Sequence, residues 1–303
     1  MCCLFGLIDP NHTYTGKEKS KILHVLATAS EARGTDATGY ALNTGGKMHI
    51  YKRPVPGHKL QFRIRDDTTV VMGHTRMTTQ GNEAKNENNH PFLGSVAGRP
   101  FALAHNGVLW NDKELRQELK LPQTKIETDS YIAVQLLETQ ASLDFASLKY
   151  MAEQVRGTFT FTVLTDRDAL YFIRGDNPLY LCRFQSSGLY LYASTSEIMQ
   201  DALRRLSFLR EAPVLVDLNS GEILQVDASG ALSRGNFDDS HLYTGAWFPP
   251  VSHRNNDLQN EYIHDLKTVA ETEGYDPHMI DYWLYRGYTL WEIEEFIYDG
   301  VCC

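Results

Sequence analysis

The sequence predicts an α+β fold in which antiparallel sheets are covered by helices. Three observations carry this. Strand-like and helix-like stretches come in blocks, not in the regular strand–helix alternation of a doubly wound parallel sheet. A β-rich block from residue 158 to 226 strings short apolar runs between turn residues. The 303 residues are 42% hydrophobic and 22% charged, an ordinary globular balance, and no apolar run approaches the ~20 residues needed to cross a bilayer.

The first element, Cys2–Ile8, is continuously apolar and reads as a buried strand. Lys19–Arg33 has helical spacing, with Ile22, Leu23, Leu26 and Ala29 on one face, and stops at Gly34. Gly39–Asn43 and Met48–Lys52 flank Thr44-Gly45-Gly46 as two strands of a hairpin. Thr69–His74 is a further strand and runs into a polar loop from Thr78 to Asn89. Pro100–His105 is extended, and Asn106-Gly107 reads as the turn that ends it. Helices are expected over Asp112–Leu119, Asp129–Glu138 and Phe145–Val155. Strands follow at Thr158–Leu164, Leu170–Ile173, Leu179–Phe184, Leu189–Ala193, Pro213–Val216 and Glu222–Val226, interrupted by a helix at Glu197–Leu206. Beyond residue 256 three more helices are expected: Asp257–Glu273, Pro277–Tyr285 and Leu290–Tyr298. In the last, Leu290, Ile293, Phe296 and Ile297 share a face.

Charge divides the chain. The net charge is −9, yet residues 241–303 alone hold 11 acidic and 3 basic residues. They also hold 12 of the 33 aromatics and three of the four tryptophans. This shift predicts a boundary near 240, with a domain over 2–240 and an acidic, aromatic-rich helical tail over 241–303. Such a tail either packs on the main domain or docks a partner. No basic patch argues for nucleic acid. The apolar opening lacks a basic flank and breaks at Asp9-Pro10, which makes a poor signal peptide. The five cysteines, at 2, 3, 182, 302 and 303, form neither a disulfide framework nor a zinc spacing. A reducing cytoplasm, no membrane, no metal and no cofactor are the expectations.

Two cysteines directly after Met1 pose a question. Both can be apolar residues of a core strand. Alternatively, Cys2 becomes the N-terminus on removal of Met1 and carries a thiol nucleophile and an amine base together. Five loop segments bear on the choice: Arg33-Gly34-Thr35-Asp36-Ala37-Thr38-Gly39, Gly73-His74-Thr75-Arg76-Met77-Thr78-Thr79-Gln80-Gly81, Asn88-Asn89-His90-Pro91-Phe92, Ala104-His105-Asn106-Gly107 and Glu127-Thr128-Asp129. Each alone has a plain structural reading: a helix cap, a turn, an N-terminal helix acid, a surface charge.

In this order behind an N-terminal cysteine, the set resembles the glutaminase domain of the class II glutamine amidotransferases, within the N-terminal-nucleophile hydrolases. The resemblance covers about residues 2–230. It implies a four-layer αββα sandwich of two antiparallel sheets. It also implies Cys2 as nucleophile with its α-amine as base, and Asn106 and Gly107 as the oxyanion hole. Arg76 would hold the substrate α-carboxylate and Asp129 its α-ammonium. Thr79 and His90 would line the pocket, and Arg33 would support the surroundings of Cys2. These roles suit the chemistry. A guanidinium binds a carboxylate bidentately, a tetrahedral oxyanion needs preorganised donors, and an amine of pKa roughly 7.7–8.0 is a fit base near neutrality. Many relatives carry tryptophan at the position of Met77 and histidine at that of Gln80, so closure over the substrate is expected to differ here.

Three functions remain in view. One is a glutaminase that supplies ammonia to an acceptor on a separate synthase chain docked on the tail, since only about 60 residues follow the domain. Another is a stand-alone hydrolase of γ-glutamyl amides or peptides. A third is a binding module that has lost catalysis, against which the intact residue set argues.

Overall fold

The computed structural model describes residues 2–242 and, beyond them, 263, 266–271, 275–285, 290, 293 and 297. The chain forms two compact units, 1–243 and 244–303.

In the first unit, thirteen strands form two antiparallel sheets. The seven-stranded sheet contains β1 (Cys3–Ile8), β2 (Ala37–Thr44), β3 (Lys47–Arg53), β4 (Val70–Arg76), β9 (Tyr180–Arg183), β10 (Tyr190–Ala193) and β11 (Val214–Leu215), in the order β11-β9-β10-β1-β4-β2-β3. The six-stranded sheet contains β5 (Phe92–Val96), β6 (Arg99–Leu109), β7 (Gly157–Thr165), β8 (Leu170–Arg174), β12 (Glu222–Val226) and β13 (Leu232–Asn236), in the order β13-β12-β8-β7-β6-β5. Helices α1 (Gly16–Ala29) and α5 (Ser196–Arg205) cover the first sheet, and α2 (Asp112–Glu118), α3 (Tyr131–Glu138) and α4 (Phe145–Gln154) cover the second.

Side-chain alternation builds the layers. Along β1, Leu4 and Ile8 enter a core between the sheets with Val70 and Met72 of β4, Ala102 and Ala104 of β6, and Tyr192. Cys3, Phe5 and Leu7 turn the other way, onto Ile22, Leu23 and Leu26 of α1. The outer face of the second sheet, with Phe159, Phe161 and Ile173, packs on Ile132, Leu136, Leu148 and Met151. The result is the expected helix–sheet–sheet–helix sandwich.

Local signals explain most boundaries. Thr15 and Glu18 form a reciprocal capping box that starts α1 three residues before the expected Lys19. Ala29 ends it, and a short 3₁₀ turn, Ser30–Ala32, carries the chain to Arg33. Gly45 and Gly46 both take positive φ at the hairpin turn between β2 and β3. One expectation is corrected. Asn106-Gly107 is no turn: both lie inside β6 and pair with Thr160 and Phe159 of β7. Gly107 has φ +146°, which glycine tolerates within a strand. Strands β5 and β13 were not anticipated; both are short sheet edges with exposed or polar positions.

Lys19 is fully buried and pairs with Asp9 at 3.1 Å. Its ammonium also donates to the carbonyls of Asp66 and Thr68 at 2.8 and 2.7 Å. Lys19→Met strands the Asp9 carboxylate, and denaturant unfolding should show a loss of about 3–5 kcal/mol.

In the second unit, helix α6 spans His278–Tyr285. Leu266, Ala270, Ile280, Leu290, Ile293 and Ile297 form its core, so three of the four residues expected to share the last amphipathic face are buried together. The remainder of the expected helices Asp257–Glu273 and Leu290–Tyr298 lies outside the described residues, as does Phe296's side chain.

Candidate active site

The same alternation that fills the inter-sheet core sets the site at its end. Two residues before Leu4, on the same face, comes Cys2. Two and four steps beyond Met72 come His74 and Arg76, and beyond Ala104 comes Asn106. Both sheets therefore contribute.

Cys2 is 8% exposed. Its Sγ lies 3.5 Å from the Met77 carbonyl, and its own carbonyl accepts from Arg33 Nε at 3.0 Å. Burial pushes its thiol up from the ordinary range, the Arg76 charge opposes that, and the Asp129 charge adds to it. Cys3 faces the helices and donates to Ser30 Oγ at 3.2 Å.

Arg76 is nearly fully buried and is bonded to neutral oxygens. Nη1 donates to Asn89 Oδ1 at 2.7 Å, and Nη2 to the Gln80 carbonyl at 2.6 Å. Asp129, at the turn into α3, accepts from the Leu109 N–H at 2.6 Å, two residues past Gly107. Asn106 is wholly buried, and among the described residues neither atom of its side-chain amide has a hydrogen-bond partner. Its backbone is held instead: the Asn106 carbonyl accepts from Asn177 Nδ2 at 2.9 Å. At Gly107 a Cβ would sit 1.9 Å from the Thr158 carbonyl oxygen, so only glycine fits.

The His90 ring packs tilted against His74 with centroids 4.2 Å apart and against Phe92 at 4.4 Å; both its ring nitrogens are buried without a hydrogen-bond partner among the described residues. His74 Nε2 donates to the His105 carbonyl at 3.0 Å, and His105 stacks on Phe161. Burial holds all three neutral. It pushes His74 down to about 3, His90 well below its usual value and His105 in the same direction. A depressed histidine binds its proton in the unfolded chain first. Their stabilisation is therefore complete above ~6.5 and is lost as pH falls below it, toward 3 for His74. Each proton contributes a slope of about 1.4 kcal/mol per pH unit in that window. Denaturant midpoints measured at pH 7 and pH 5 should fall steeply for the parent chain and less steeply for His90→Asn.

Of the seven candidates, Cys2, Arg76 and Asp129 interact through their charges, His90 feels the Arg76 charge, and Asn106 and Gly107 lie on β6 three and two residues before Leu109, whose N–H Asp129 holds. Thr79 stands apart, exposed on the loop after β4. Sequence reasoning missed several supports. Asp36 accepts from the Thr78 N–H at 2.7 Å, Asn177 holds Asn106, and Ser130 Oγ meets His105 Nδ1 at 2.8 Å. Glu127 clasps the loop after β4 through Lys85 and through Asn88 Nδ2 at 2.9 Å, while its carbonyl accepts from Gln80 Nε2 at 3.0 Å. Glu127 and Asp36 stood inside the quoted segments; Asn177 carried no signal. Among the described residues no His, Cys, Asp or Glu group could hold a metal, and no helix is long and apolar enough to cross a membrane.

The sandwich is shared with solved proteins. The glutamine phosphoribosylpyrophosphate amidotransferase of B. subtilis superposes with a TM-score of 0.62 at 19% identity, over 78% of this chain and 49% of that one. With the sheets, layers and strand-end site above, the fold is that of the N-terminal-nucleophile hydrolases. Residues 74–201 match the glutamine amidotransferase domain family. Over residues 74–201 the chain is similar to glutamine amidotransferase domains, whose homologues are enzymes that act on the glutamine amide. The glutamine–fructose-6-phosphate aminotransferase of Halobacterium salinarum is 28% identical over 220 residues, 71% of this chain and 35% of its own length. The amidophosphoribosyltransferase of Synechococcus elongatus is 29% identical over 242 residues, 76% and 46%. The 7-cyano-7-deazaguanine synthase of Sulfolobus acidocaldarius is 26% identical over 258 residues, 77% and 54%. The matched region spans about a third to a half of these relatives.

Proposed function

We propose that the chain hydrolyses the side-chain amide of glutamine through a Cys2 thioester, giving glutamate and ammonia, and that the ammonia serves an acceptor on a separate chain. The observation that carries this is the Asn106 amide, buried without a hydrogen-bond partner among the described residues, on the strand whose Leu109 N–H is held by Asp129, a residue whose charge acts with that of Arg76 on the Cys2 thiol. A buried amide without partners is costly to maintain; an oxyanion formed in front of it supplies the partner.

The steps follow from the residues. Once Met1 is removed, the Cys2 α-amine takes the thiol proton, and Sγ attacks the amide carbon. Asn106 Nδ2 and the Gly107 N–H receive the oxyanion. The protonated amine gives its proton to the departing ammonia. Water, activated by the same amine, then cleaves the thioester to glutamate. Arg76 and Asp129 fix the zwitterionic end throughout. Thr79 and His90 complete the pocket wall, Thr79 once its loop closes. Asp129→Asn keeps an acceptor for the Leu109 N–H and so preserves the local fold, but it removes the charge that meets the α-ammonium. Steady-state kinetics should show kcat/KM lowered about ten- to a hundred-fold, chiefly through KM.

A γ-glutamyl amide with an apolar amine is the second reading. Val108 lies two steps beyond Asn106 on the same face of β6, Trp110 continues that row, and both are exposed, as is Met77. The test is one assay of the full chain on glutamine and on a panel of γ-glutamyl amides, alone and with candidate acceptor enzymes. Ammonia release from glutamine, raised by a partner, supports the first reading. Preference for N-substituted amides selects the second, and turnover of neither sinks both.

A further inference from the structure

The loop that presents Arg76's side-chain partner is seated on β2 and β3 by a glycine and a lysine. Gly39 of β2 pairs with Lys52 of β3. A Cβ on Gly39 would lie 2.2 Å from the His90 carbonyl oxygen, so Asn89–Pro91 rests directly on that bare backbone. Lys52 stands beside it. Its Nζ donates to the Asn89 carbonyl at 2.5 Å and to the Pro91 carbonyl at 3.1 Å, and lies 5.0 Å from the Phe92 ring centroid. The Lys52 carbonyl in turn accepts from Asn86 Nδ2 at 2.9 Å. Asn89 then points its Oδ1 at Arg76 Nη1, 2.7 Å away, while its Nδ2 donates to the Glu83 carbonyl at 2.8 Å.

We propose that Lys52 is a positioning residue for substrate recognition: its ammonium, fixed on the Asn89 and Pro91 carbonyls, holds Asn89 so that Arg76 is aimed at the substrate carboxylate. This rests on the reading of Arg76 as the carboxylate-binding group.

Two cations share this region, and among the described residues neither forms an ion pair with a carboxylate. Burial pushes Lys52 down to about 8, with the Arg76 charge acting in the same direction and the Glu87 charge against it. The other titratable groups facing it, His74 and His90, are held neutral and add no counter-charge. Lys52 is charged below about 8 and loses its charge above that, so its grip on the loop weakens as pH rises through that value.

The test uses the full chain in a Cys2→Ser background, where glutamine binds without turnover, and reads Kd by calorimetry at pH 7 and 8.5. K52M is expected to bind roughly ten-fold or more weakly at pH 7, the loss of a charged hydrogen-bond donor. K52R is expected to restore binding and to hold it at pH 8.5, where the Lys52 parent has weakened. Glutamine's own amine titrates equally in both, so the difference isolates residue 52. With Cys2 present, K52M should raise KM about ten-fold and leave kcat within a few-fold. If the parent binds glutamine and K52M binds it equally well, Lys52 is no positioning residue. Identical pH profiles for the parent and K52R overturn the proposal in the same way, even if K52M folds poorly. If the parent binds neither glutamine nor glutamate, the carboxylate reading of Arg76 itself fails, and this proposal with it.

Discussion

Cys2→Ala is expected to abolish turnover, by a factor on the order of 10⁵–10⁶, whereas Cys3→Ala keeps most of the activity. The two cysteines are neighbours in sequence but not in chemistry. Cys2 lies on the inter-sheet side, where Arg76 and Asp129 act on its thiol. Cys3 is sealed against α1 and donates to Ser30 Oγ. Burial favours the protonated thiol at Cys2, so it needs a base. The proposal places that base on the same residue, as the α-amine. Intact mass should therefore show Met1 removed in active protein. A diazo-ketone analogue of glutamine should label Cys2. The label on Cys3, or full activity in Cys2→Ala, would overturn the mechanism.

Asn106→Ala should lower kcat about 10²–10³-fold with little change in KM, the signature of a donor that acts on the developing oxyanion. The same substitution should leave stability unchanged or slightly raised. Among the described residues the Asn106 amide has no partner to lose, and its removal relieves a buried, unsatisfied group. Few active-site substitutions separate the two effects so cleanly: an activity assay falls while a thermal melt holds or rises. If kcat is retained and only KM moves, Asn106 binds the ground state and the oxyanion assignment is wrong.

Much of the fold was legible because alternation and apolar spacing carry burial directly. The Cys2–Ile8 run, the Gly45-Gly46 hairpin and the helices near Asp112, Phe145 and Glu197 all emerge at nearly their expected limits. Asn106-Gly107 misled because asparagine–glycine favours turns, while here the glycine's freedom serves a strand at φ +146°. The candidate site could be picked out in the sequence where a residue's type is chemically demanding, as at Arg76, Asp129 and Cys2. It was not legible where function depends on a contact far off in sequence. Lys52, in a strand that alternates with solvent, reads as a surface charge, and its carbonyl partners lie about forty positions on. Nothing about Asn177 in its own loop points to Asn106.

The division of the site between two sheets has a mechanical consequence. Cys2 and Arg76 ride on one slab, and Asn106 and Gly107 on the other. The side chains between them, among them Leu4, Met72, Ala104 and Tyr192, act as spacers that set how far apart the proposed nucleophile and the proposed oxyanion donors stand. Packed interiors transmit strain because they hold few voids, and misplacing a reacting group by about an ångström can cost a hundred-fold in rate. Catalytic rate in this domain is then a gauge of the gap between its slabs, sensitive to spacer volumes many residues from any reacting atom.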